Sequence, residues 1–301
     1  MQRRRWLAQI APVSFAQTYP DLATYERTRT PPMTGPVGIL LVEDDIEAQS
    51  ALDHLVRAGF KTVVVMAPER VALTPDSAVA VIRVGWRNQS RGRVPDAVNA
   101  VARKGPGLWM HYCFNAEYLF FPFCETRKVG EMLAFHTEER RAAMLTYVVD
   151  LYAEDISTGA VCRETAHLDA SGYYATSRPD PVTNYPMERQ LDFHGGLRWR
   201  FEEHVPANRR RIDRIGLFRA APGVDLREDH TFSQPEYNTY SCPWHHNLTA
   251  AICSFRAAKA LTTNAGSRYD ISTFMWYRSV PFEWTSQQLL DLGLMEPGQW
   301  F

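Results

Sequence analysis

The chain has 301 residues, a formal net charge of -1 at pH 7 and 45% hydrophobic residues. That length can bury a large core, as one big α/β domain with appended pieces or as two smaller domains, and we favour the first. Near-neutral charge excludes a global field that recruits nucleic acid or an anionic membrane, and no apolar run approaches the roughly 18 residues needed to span a bilayer.

Residues 1–34 are rich in Pro, Thr and Arg with little periodicity, and read as an arm that packs on the domain. Arg3-Arg4-Arg5-Trp6-Leu7 is a poor export signal, because Pro12, Gln17 and Pro20 interrupt the apolar stretch that such a signal needs. The five cysteines, Cys113, Cys124, Cys162, Cys242 and Cys253, are odd in number and form no Cys-x-x-Cys pair. Free thiols in a reducing cytoplasm fit that usage.

From Val37 the pattern sharpens. Val37 to Val42 is a short apolar strand ending in Glu43-Asp44-Asp45, and Ile46 to Ala58 reads as the next helix, stopped by Gly59. Lys61 to Met66 is a second strand, Ala78 to Val84 a third, and Pro95 to Lys104 a helix. A βαβ start of this kind implies a parallel sheet with right-handed crossovers. Gly107 to Phe123 is then an apolar and aromatic strand, interrupted by Asn115-Ala116-Glu117 where it emerges from the sheet. The mouth of such a sheet is where ligands bind.

Lys128 to Arg141 reads as a helix and Met144 to Tyr152 as a strand, before a long polar connection over 153–190. Leu191 to His204 reads as a strand or hairpin through Gly195-Gly196, Ile215 to Ala220 as a strand, and Asn247 to Thr262 as an amphipathic helix. A short helix from Ser286 precedes the apolar end Trp300-Phe301.

Glu43-Asp44-Asp45 after an apolar strand resembles the opening of response-regulator receiver domains. Val81 to Ser90 contains no acid to accept a phosphoryl group, however, and acids that begin a helix suit its dipole. Asn115 and Glu117 together offer one amide oxygen and one carboxylate to a divalent cation, against the plainer roles of a turn and an ion pair. The segment from Glu188 to Phe201 sets Asp192, His194, Arg198 and Arg200 around two glycines. Asp192 is a candidate base for an acceptor hydroxyl and Arg198 a candidate phosphate partner, or a surface salt-bridge former. Cys242, His245 and His246 lack a second pair to complete a zinc site, but His246 is a candidate to complete a divalent-metal or phosphate site with Glu117. Trp109, Trp199, Trp244 and Trp276 are candidates for stacking on a sugar, although most large aromatics are core.

Taken in order, these segments resemble the family 2-like glycosyltransferases of bacteria, in a divergent branch where Asn115-Ala116-Glu117 stands for the Asp-X-Asp metal motif. The resemblance implies an α/β GT-A fold, with a mostly parallel Rossmann-like sheet flanked by helices and an added antiparallel and helical C-terminal part. It implies an arm over 1–34 and one domain over 35–301, with 35–124 as nucleotide-binding half and 125–301 as acceptor half. It further implies a nucleoside-diphosphate sugar donor, a divalent cation (Mn or Mg) and inversion at the anomeric carbon, with a glycan, lipid or protein as acceptor. Glu43 and Asp45 then fall near the nucleotide, Asn115, Glu117 and His246 at the metal, and Asp192 and Arg198 at the chemistry. A silent GT-A-like scaffold that binds a protein partner or a glycan is the alternative.

Overall fold

The computed structural model describes residues 14–76, 78–87, 93–240 and 247–300. Strand β1 (Gln17–Tyr19) and helix α1 (Leu22–Arg27) come first, so part of the expected arm is regular structure. Next come β2 (Val37–Leu41), α2 (Ala48–Ala58), β3 (Thr62–Ala67), β4 (Ala80–Gly85), α3 (Arg93–Lys104) and β5 (Trp109–Phe114). Strands β1, β4, β3, β2 and β5 lie side by side in that order, each parallel to the next. Alternate side chains divide between the two faces. Val63 and Val65 pack on the side of α2, whereas Val64 and Met66 pack on the side of α1 and α3.

The second half is mixed. Strand β6 (Glu117–Phe120), helix α4 (Val129–Glu138), β7 (Ala143–Ala153), β8 (Ala166–Asp169), the hairpin β9 (Tyr174–Pro179) and β10 (Pro186–His194), and α5 (Gly196–Arg200) precede β11 (Asp213–Arg219). After β11 come β12 (Ala250–Ser254), α6 (Arg256–Thr263), β13 (Ser279–Pro281) and α7 (Ser286–Asp291). Strand β11 runs antiparallel between β5 and β7, β12 runs parallel to β7, and β6 closes antiparallel on β12. The result is a mixed α/β fold with a mostly parallel central sheet flanked by helices. No helix among the described residues is long and apolar enough to cross a membrane.

Four local expectations change. Gly107 to Phe123 is two strands, because the chain turns at Asn115-Ala116, with Ala116 at φ 59°, and β6 leaves to pair with β12. The 153–190 connection contains β8 and most of the hairpin, whose polar alternation reflects exposure on both faces of β9. Gly195-Gly196 starts α5 instead of turning a hairpin. Asn247 to Thr262 is a strand and then a helix: Ala250–Ser254 is buried at every position, a pattern in which periodicity cannot separate strand from helix.

Tyr25 of α1 is fully buried, with Lys104 Nζ 5.0 Å from its ring centre, and its hydroxyl has no hydrogen-bond partner among the described residues. Tyr25→Ala should cost about 3–5 kcal/mol, as large aromatic truncations do. Tyr25→Phe should be neutral or slightly stabilising, since no hydrogen bond is lost. Urea denaturation of both variants checks this; a Tyr25→Ala protein as stable as wild type would show that α1 is not part of the cooperative core.

Candidate functional site

The parallel strands β2, β5 and β7 all end at one edge of the sheet. Strand register then lays three polar side chains across that edge, because Ser254 of β12 is paired with Asp150 of β7 on one side and with Glu117 of β6 on the other. All three are buried.

Glu117 is fully engaged. Its Oε2 accepts from Phe114 N–H at 2.9 Å and from Arg214 Nη2 at 2.6 Å, and its Oε1 accepts from Ser254 Oγ at 3.1 Å. Burial pushes this carboxyl up, but the Arg214 and Arg256 guanidiniums and the hydrogen bonds outweigh it and hold the group well below the usual carboxylate range. Arg214, on β11, lies against the Tyr112 and Phe114 rings with its centre 5.2 and 5.7 Å from theirs.

Asn115 is a clasp. Its side-chain oxygen accepts from Glu43 N–H at 2.9 Å, and its amide donates to Asp44 Oδ1 at 2.7 Å and to the Ile46 carbonyl at 2.8 Å. It therefore fastens the loop between β2 and α2 to the end of β5. The acids of that loop meet cations from α6: Arg256 donates to both Glu43 oxygens at 3.1 and 2.9 Å, and Lys259 Nζ lies 2.7 Å from Asp44 Oδ2. Asp45 is exposed to solvent.

A divalent cation needs oxygen ligands that face open space. Asn115 and Glu117 do not fit that requirement, since one is engaged in backbone and Asp44 contacts and the other faces a guanidinium. Among the described residues no group of three or more His, Cys, Asp or Glu side chains is placed to hold a metal ion. His246 lies outside the described residues, as do Cys242, Trp244 and His245.

Asp192 Oδ1 sits between two guanidiniums, Arg178 Nε at 2.6 Å and Arg211 Nη1 at 2.9 Å, and Arg178 continues to Asp213 Oδ2 at 2.7 Å. This network pins the β9–β10 hairpin to β11. The Arg211 carbonyl in turn accepts from Arg198 Nη1 at 2.9 Å, and Arg198 Nε stands 3.6 Å from Asp150 Oδ1. Asp192 and Arg198 are thus joined through Arg211, with Asp192 holding the scaffold and Arg198 facing the sheet edge.

Asp150 is the exception among these acids. Its Oδ2 accepts from Arg198 N–H at 3.4 Å, but its buried Oδ1 has no hydrogen-bond partner among the described residues. Burial pushes the carboxyl up to about 6, and the charge of Arg198 opposes this only in part. Gly196, at φ 62°, makes the close approach possible, because a Cβ there would lie 2.9 Å from Asp150 Oδ2. The Tyr173 ring occupies the space beside Gly195, and its hydroxyl too is buried without a partner among the described residues.

Sequence reasoning missed Arg214, Ser254 and Arg256. Arg214 leaves a signal, being a lone cation in the run from Ile212 to Phe218, where burial demands a counter-ion. His230, whose Nδ1 lies 3.0 Å from the Tyr112 hydroxyl, is held down at about 3 by burial and then by the charges of Arg214, Arg256 and Arg198. A small cavity, about 10 Å³ and lined by Arg178, Asp213, His230 and Tyr240 among others, has room for a single water. Compared with known proteins, the chain matches no family model and no curated protein.

Glu117→Ala should destabilise the chain by about 3–5 kcal/mol, because it strands the buried Arg214 charge. Pairing Glu117→Leu with Arg214→Met should recover much of that loss in chemical denaturation; a double variant no better than the single one would remove the ion pair as the cause. Asn115→Asp should lose about 1–3 kcal/mol, since a carboxylate replaces a donor beside Asp44 and the Ile46 carbonyl. Titration calorimetry of Asn115→Asp with Mn²⁺ should show no new tight site, and tight binding would reveal that the edge can reorganise around a metal.

Proposed function

We propose that the chain transfers a sugar from a nucleoside-diphosphate sugar to an acceptor hydroxyl, on a GT-A-like scaffold. The observation that carries this reading is Asp150: a buried carboxylate whose Oδ1 has no hydrogen-bond partner among the described residues and stands 3.6 Å from the Arg198 guanidinium, at the mouth of a parallel sheet, titrating near the pH at which a general base works. Support also comes from the position of the edge, since open α/β sheets take ligands beyond the carboxyl ends of their strands.

In this reading the donor lies across the ends of β2 and β5, its nucleotide bordered by Glu43 and Asp45. Arg198 and Arg256 face the diphosphate and stabilise the charge that builds on it as it leaves. Asp150 takes the proton of the acceptor hydroxyl while that oxygen forms its bond to the anomeric carbon. The Tyr173 ring packs beside Gly195, next to the Gly196 approach to Asp150. Asp192 positions Arg198 through Arg211. The reaction needs no metal ligand from Asn115 or Glu117, which hold the edge together instead.

A second reading, a silent scaffold of the same fold, is favoured by the Glu117–Arg214 pair, which closes an acidic position with a cation of the chain itself. Nucleotide-sugar turnover separates the two.

Asp150→Asn should reduce transfer by at least about 10²-fold, the usual contribution of a general base, while donor binding measured by thermal shift persists. Transfer by the wild type should rise with pH through about 6, as Asp150 loses its proton. The folded-state value is raised above the unfolded one, so the stabilising contribution of the protonated carboxyl is lost as pH rises through about 6. Asp150→Asn should therefore melt higher than wild type at pH 8. An Asp150→Asn protein with full turnover would remove Asp150 from the chemistry.

A further inference from the structure

Next to Asp150 the surface is aromatic. The Tyr174 ring stacks on His194 with centres 5.1 Å apart and meets Trp199 edge-on at 6.4 Å. Trp199 and Trp276 converge on Gly172, where a Cβ would lie 3.2 Å from one indole and 3.6 Å from the other. Trp276 then meets the Tyr277 ring at 4.9 Å. The rings form a strip of two groups, His194–Tyr174–Trp199 and Trp276–Tyr277, that adjoin at Gly172, and Tyr174, Trp199 and Tyr277 are 47%, 39% and 85% exposed.

The strip is fixed from below by polar groups. Trp276 Nε1 donates to Asp169 Oδ1 at 2.7 Å, and Arg200 lies 4.6 Å from the Trp276 ring centre while donating to the same Asp169 oxygen at 2.9 Å. Asp169 itself is 1% exposed and also accepts from the Tyr152 hydroxyl at 2.5 Å. The indole is therefore held in one orientation before any ligand arrives, which lowers the ordering cost of binding. Beyond His194 the chain continues into Gly195-Gly196, which lie against Tyr173 and Asp150, and Tyr173 Oη and Asp150 Oδ1 are buried without a hydrogen-bond partner among the described residues, the latter 3.6 Å from Arg198 Nε.

We infer that this strip binds a carbohydrate, and that the acceptor of the transfer is a glycan chain instead of a lipid. Two independent needs of the site point to the same ligand chemistry. Exposed ring faces are covered best by flat C–H surfaces, and a buried carboxylate oxygen requires an O–H or N–H donor. A pyranose ring offers C–H faces and hydroxyls at once, whereas an alkyl chain leaves both orphan oxygens unsatisfied. A chain of such rings lies along the strip with its terminal hydroxyl at Asp150. The word acceptor rests on the sugar-transfer reading; the binding itself does not.

The test is calorimetric titration of the full chain, without donor, against linear tetrasaccharides of β-1,4-glucose, β-1,4-N-acetylglucosamine, α-1,4-glucose and β-1,4-mannose. At least one should bind, and Tyr277→Ala and Tyr174→Ala, both at exposed positions, should each weaken it tenfold or more. Saccharide binding and nucleotide-sugar turnover are measured separately on the wild-type chain, and this separates the two ideas: glycan binding without any nucleotide-sugar turnover sinks the transferase reading and leaves the strip standing. No binding by any of the four at millimolar concentration overturns the strip. So does binding that both tyrosine variants leave unchanged, or binding of neutral phospholipid vesicles in place of saccharide.

Discussion

The contact between Glu117 and Arg214 governs the second half of this molecule. A carboxylate and a guanidinium buried together gain little over a well-packed apolar pair, but either one alone is strongly unfavourable. Every element that touches the pair is therefore held in register. Strand β5 contributes the Phe114 N–H, β6 the acid, β11 the cation and β12 the Ser254 hydroxyl, and a shift of any one by a single residue would turn its polar group away. The antiparallel intrusion of β11 between β5 and β7 is what delivers the cation to this point.

Around that pair the sheet edge is nearly neutralised from within. Glu43 meets Arg256, Asp44 meets Lys259, and Asn115 ties their loop to β5. Such an edge does not attract ligands by bulk charge. The groups at the edge whose hydrogen bonding is incomplete among the described residues include Asp150 Oδ1, Tyr173 Oη and Arg214 Nε. The glycines at 195 and 196 belong to the same logic, because they bring backbone against a carboxylate where no side chain fits.

Much of the fold was legible in the sequence because its signals are local. The β2–α2–β3 unit, the stop at Gly59, and the run of parallel strands through Trp109 arise from apolar blocks bounded by turn residues. Strand β12 was not legible, since Ala250 to Ser254 is apolar and small on every face and fits a helix as well. At the site, sequence adjacency misled. Asn115 and Glu117 sit two residues apart and suggest a shared ligand, yet the turn at Ala116 sends one toward β2 and the other toward β11. Asp192 stands in the most ionisable segment, and that same crowding occupies its carboxylate with Arg178 and Arg211. Asp150 was visible only as part of the strand from Met144 to Tyr152; its surroundings depend on Gly196 and Arg198, which are distant in the chain.

The position of β12 has a consequence for biosynthesis. Glu117 and its partners are separated by 97 residues to Arg214 and by 137 to Ser254. At about 5–20 residues per second of translation, β6 emerges roughly 7–27 s before the strand that covers its edge. During that interval a young chain holds an aromatic strand with an unsatisfied backbone and an acid with no counter-ion. The edge of β6 is closed only once β12 has been made and has paired with it.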